Sequence, residues 1–83
     1  MQIRSNAEVV FLGVKENIGK EDKKFYEISL EQLDSVCTLP TSVDVFNYVN
    51  APENKNIKYK PVLATFVFDT RFNNFRVVQI SNK

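Results

Sequence analysis

Histidine is absent from this chain of 83 residues. That absence removes most zinc sites and the usual Ser-His and Cys-His nucleophile pairs. Glycine is nearly as scarce: Gly13 and Gly19 are the only two, and they form neither a P-loop nor a Rossmann fingerprint. The single cysteine, Cys37, cannot close an internal disulfide, which points to a reducing cytoplasm. With no base to activate it, Cys37 reads as a small buried side chain. The carboxylates are scattered, and none forms a pair in an apolar frame of the kind acid–base chemistry favours. No enzyme, metal site or cofactor is expected. The longest apolar run, Val9 to Leu12, is far short of the roughly 20 residues a membrane span needs. The first residues, MQIRSNAEVV, lack the apolar run and small-residue cleavage site of a secretory signal, so no membrane association is expected.

The residues present describe one small domain, residues 1 to 83. Hydrophobic side chains make up 43% of the chain and charged ones 25%, the balance of a globular rather than a disordered protein. A chain this short buries a limited share of its surface, which favours self-association. The net charge of +1 is unevenly spread. Residues 1 to 34 carry five Lys/Arg against seven Asp/Glu, a net of −2, and residues 35 to 83 carry six against three, a net of +3. The basic second half suits phosphate contacts and equally suits an ordinary solvated surface.

β-branched and aromatic residues recur in short runs between turn signals. A first strand is expected over Ala7 to Lys15, with Gly13 placed for a bulge or bend. ENIGKEDKK is a polar loop. A second strand spans Phe25 to Leu30, and Glu31 to Val36 either holds one helical turn or continues it. Leu39-Pro40 marks a break. Ser42 to Val49 alternates as a third strand, with a helix capped by Ser42 as its rival. NAPENKNIK is the clearest loop. Pro61 opens a fourth strand, PVLATFVFD, and Phe75 to Ser81 is the fifth. Five strands and at most one short helix predict an all-β, OB-like Greek-key barrel, since closure removes exposed edges. A small SH3-like barrel has the same strand count.

Strand parity then sorts the faces. Ile28, Leu30 and Tyr26 turn inward and Phe25, Glu27 and Ser29 outward. Val62, Ala64, Phe66 and Phe68 turn inward, Thr65 and Asp69 outward. Val43, Val45 and Val49 share one face of the expected third strand, leaving Asp44, Phe46 and Tyr48 on the other. If the second and third strands are neighbours, Phe25, Phe46 and Tyr48 form one exposed aromatic strip. Arg71-Phe72 stands at the tip of the last hairpin, where small polar residues are usual.

The segments GKEDKKFY, EISLEQL with a cysteine soon after, a Leu-Pro pair, YKPVLATFVF and a final hairpin give an order of parts that resembles the small single-stranded DNA-binding proteins of filamentous phages. More loosely, it resembles OB-fold proteins of phages and conjugative elements. The resemblance covers about Gly19 to Lys83. It implies an OB-fold homodimer that coats single-stranded DNA without sequence preference, in the host cytoplasm if a phage encodes the chain. It also implies an aromatic in the second strand, at Tyr26, and one at the hairpin tip, at Phe72. Parity turns Phe25 outward instead of Tyr26, so the two readings name different rings. The basic residues are fewer than the family pattern implies.

Unpaired bases stack on aromatic rings, and Lys and Arg neutralise phosphates. Lys24, Lys58, Arg71 and Arg76 are the cations placed beside the candidate rings Phe25, Tyr26, Phe46, Tyr48 and Phe72, and RNA would meet the same chemistry. Each ring also has a plainer reading: Phe46 and Tyr48 packed against a helix, loop or partner subunit, Tyr26 in the core or a dimer interface, and Phe72 folded over the barrel end. In a second functional class, the exposed aromatics dock a protein and nucleic acid plays no part.

Overall fold

A computed structural model describes residues 1–82. It is mostly β, with one α-helix. Strand β1, Gln2–Ile18, pairs antiparallel with β2, Lys24–Gln32, along its second half and with β4, Pro61–Asp69, along its first half. β2 pairs with β3, Ser35–Thr41, and β4 with β5, Asn74–Asn82. A parallel bridge, Thr41 opposite Val77, joins β3 to β5 and closes the order β1-β2-β3-β5-β4 into a barrel. At that seam the Thr41 hydroxyl donates to the Val77 carbonyl at 2.8 Å.

β1 is far longer than the apolar run Ala7 to Lys15 suggests, because its polar first residues find partners along the whole of β4. The register shifts between Phe11 and Gly13, so the chain bulges there and turns from one partner strand to the other. β4 begins and ends where the sequence places it, and β5 extends the expected strand by one residue at each end.

The third strand is the main correction. Ser42 to Val49 does not form it; Val43–Asn50 is helix α1. Ser42 Oγ accepts from the Val45 amide at 3.2 Å, satisfying one orphan donor of the first turn. Val45 and Val49, four apart, face the core together, so the helical period prevails over the alternating one. The strand that closes the barrel lies earlier, over Ser35–Thr41, and Glu31 to Val36 contains a hairpin turn instead of a helical one. Leu33 and Asp34 both have positive φ, 52° and 63°, the geometry of a tight two-residue turn. Pro40 does not break the chain either: it sits in β3 opposite Glu27, on a strand whose far edge is almost unpaired.

The core joins Val9, Phe11, Ile28, Leu30, Val62, Ala64, Phe66, Val77 and Ile80 of the barrel to Val45, Val49 and Ile57, which cap one end. Parity holds at Ile28, Leu30, Val62, Ala64 and Phe66, while Phe68 is only half-buried. Thr65 and Asp69, expected to face solvent, are buried on the outer side of the sheet. Thr65 donates to Asn6 Oδ1 at 2.8 Å, and Asp69 lies under Arg71. The loop after α1 holds a 3-10 helix, Pro52–Ile57, in which buried Asn54 donates to the Tyr48 carbonyl at 2.9 Å. Cys37, expected to be buried, is exposed, because β3 has no neighbour over it on the far side.

Candidate nucleic-acid interface

The tip of the β4–β5 hairpin is built on one carboxylate. Asp69, the last residue of β4, is 3% exposed. It accepts from the Arg71 amide at 3.0 Å and from Arg71 Nε and Nη2 at 3.3 and 3.2 Å. The Arg71 side-chain hydrogen bonds, joined by its amide, lower the Asp69 carboxyl from 3.8 to about 2, and burial works against them. The same pairing raises the guanidinium. Thr70 donates its amide and hydroxyl to the Met1 carbonyl, at 2.9 and 3.0 Å, and ties the turn to the start of β1. Asn73 turns the chain back at φ 50°. Phe72 does not fold over the barrel end: its ring is 72% exposed, with the Arg71 guanidinium 5.2 Å from its centroid. The tip therefore presents an aromatic face and a cation on a braced turn.

The other expected residues do not join that tip in one strip. Phe25 is exposed on β2, over the Gly19 backbone, so parity is right about its direction. Lys24 lies 4.0 Å from Glu16 and is partly neutralised. Tyr26 turns inward and meets Phe46 of α1, ring centroids 4.8 Å apart. Tyr48 packs against the core from the helix. The strip of Phe25, Phe46 and Tyr48 is therefore not formed, because the segment carrying two of its rings is a helix lying across the barrel end. Arg76 is on the outer face of β5, opposite Val67, and Val67 pairs on its other side with Arg4. The two arginines flank the fully buried Val67, which their aliphatic stems are placed to cover. Lys58 lies 5.2 Å from the ring centroid of Tyr59.

Tyr59 is the ring that strand-by-strand reading misses. It lies in the turn before β4 at φ 66°, a left-handed conformation that costs a side-chain-bearing residue about 1–2 kcal/mol. Its ring is 68% exposed. The turn is fixed to β1, since the Tyr59 amide donates to the Phe11 carbonyl at 2.6 Å and the Phe11 amide to the Lys60 carbonyl at 3.2 Å. The sequence does carry a signal: KNIKYK interleaves three lysines with one aromatic at the end of the clearest loop.

The barrel mouth near the β2–β3 turn has a different chemistry. Only one residue pair joins β3 to β5, so a cleft of about 320 Å³ remains there, lined by Leu30, Cys37, Leu39, Phe66 and Phe75 among others. Phe75 stacks on Phe66 with centroids 5.4 Å apart and planes within 4°.

No protein-family model, curated protein or solved structure matches the chain. Among the described residues, no group of three or more His, Cys, Asp or Glu is placed to hold a metal ion, and no helix is long and apolar enough to cross a membrane.

Proposed function

We propose that this protein binds single-stranded DNA without sequence preference, on an OB-like Greek-key barrel, as a homodimer serving phage or mobile-element replication or transfer. The observation that carries the reading is the β4–β5 tip: an exposed ring, Phe72, with the Arg71 guanidinium beside it, held out on a turn braced by Asp69. A ring in that position offers its face to an unpaired base, and the guanidinium beside it, its charge paired with Asp69, is placed to stack in turn. The closed order β1-β2-β3-β5-β4, with a helix between β3 and β4, supports the OB-like reading. In that fold the β4–β5 loop is one of the parts that meets nucleic acid. Tyr26, Phe46 and Tyr48 leave the proposed contact set, since all three are half-buried, Tyr26 and Phe46 against each other and Tyr48 against the core. Phe25, Arg71, Phe72 and Arg76 stay in it.

Titration with a fluorescent oligo-dT and with the matching duplex, at low and moderate salt, tests the reading. Binding to the single strand that weakens as salt rises supports it, and no binding at low salt overturns it. A protein-interaction module is the second reading, favoured by the apolar cleft between β3 and β5 and by Phe75, which stacks on Phe66 there and is 41% exposed. Under it, a second copy or a protein partner covers Phe75 and Leu39, and oligo-dT does not bind.

A further inference from the structure

We infer that the turn carrying Tyr59 is a second contact for single-stranded DNA, at the opposite end of β4 from the hairpin tip, with a base stacked on Tyr59 and phosphates on Lys55 and Lys58. The inference rests on the proposed function and adds to it a site that the strand faces do not contain. Four features meet there. The backbone at Tyr59 needs a left-handed residue, a position that Gly or Asn fills with least strain, and the chain places a large ring there instead. That ring is turned into solvent, not onto the core. Lys58 stands 5.2 Å from its centroid, so ring and cation are presented as a pair, as Phe72 and Arg71 are at the other end.

The fourth feature is a cleft of about 260 Å³ between this turn and the β1 bulge, with Gly13, Asn50, Lys55 and Lys58 among its lining residues. A side chain at Gly13 would meet nothing within 4 Å, so the cleft is open on that side. Neither Lys55 nor Lys58 is ion-paired among the described residues, and both are exposed. Two unpaired ammonium groups and the exposed Asn50 amide at one opening recognise a phosphate, and the adjacent ring recognises a base. The two ring–cation pairs are separated by the length of β4, nine residues, or about 30 Å. A single strand reaches both by running along the barrel.

Two variants test this in the full chain, with fluorescent oligo-dT as the probe. Tyr59→Gly removes the ring and also relieves the left-handed backbone, so thermal stability is expected to hold or rise. Its affinity for oligo-dT is expected to fall roughly 5- to 150-fold. Lys55→Gln with Lys58→Gln is expected to flatten the dependence of log affinity on log salt by about 1.4, the change that follows when two phosphates of a single strand are no longer neutralised. If the unmodified protein binds oligo-dT while both variants keep its affinity and its salt dependence, the second contact is overturned and the proposed function stands. If the unmodified protein does not bind, both fall together.

Discussion

At the residue scale, Asp69 explains why a cation and an aromatic ring stand at a hairpin tip. Its carboxylate is buried and takes three hydrogen bonds from Arg71, so the turn is held by charge and not by the small residues usual there. The folded-state pKa is depressed, from 3.8 to about 2. Stabilisation from this pairing is therefore complete above the ordinary carboxylate range and is lost as pH falls through about 2. An NMR titration of the Asp69 carboxyl and the Arg71 Nε proton is expected to show no change from neutral pH to pH ~4 and a joint transition well below it. Asp69→Asn should remove that transition and weaken oligo-dT binding, because Phe72 loses its braced turn. Phe72→Ala should lower affinity for oligo-dT by roughly 5- to 150-fold. Its melting temperature should stay within a degree or two, since a ring that is 72% exposed contributes little to the core. A large stability loss with unchanged binding would place the ring in the core instead.

At the element scale, the seam between β3 and β5 is the weakest part of the barrel. It is one bridge and one side-chain hydrogen bond, from Thr41 to the Val77 carbonyl. Thr41→Val keeps the shape and removes the donor, and chemical denaturation should show a loss of about 1 kcal/mol. Ser42→Ala should cost about 1 kcal/mol through the lost helix cap. Leu33→Asn should do the reverse, gaining up to about 1 kcal/mol, because Leu33 is 90% exposed and held at φ 52°.

These same elements show how much of the fold is legible in the sequence. β4 is plain, since Pro61 marks its start and Val62, Ala64 and Phe66 alternate into the core. β3 is hidden for two physical reasons. Its residues are mostly exposed and carry little alternation, and its turn is Leu-Asp, where a tight turn usually signals itself with Asn or Gly. The helix reads as a strand because three valines favour one, while the spacing of Val45 and Val49 and the cap at Ser42 decide for helix. The same ambiguity puts Phe46 and Tyr48 into a surface strip that does not exist. Phe72 is legible because nothing in the hairpin pattern accounts for it. Tyr59 is not, because its exposure comes from a left-handed backbone that no strand parity reveals.

At the scale of the whole molecule, the contacts proposed for a single strand sit at the two ends of β4, while the barrel mouth between β3 and β5 is apolar and suits a protein surface. The two proposed surfaces use different residues of the same fold: cations and exposed rings for DNA, and half-exposed Phe75 at the apolar mouth for a second copy. If a second copy covers the mouth, Phe75→Ser is expected to lower the oligomeric state in sedimentation while oligo-dT still binds. Binding of single-stranded DNA is tested most directly by titrating the unmodified protein with fluorescent oligo-dT and with a duplex of equal length, at low and moderate salt. The expected result is binding to oligo-dT that falls steeply with salt and exceeds binding to the duplex. No binding to oligo-dT at low salt, or equal binding to the duplex, would contradict it.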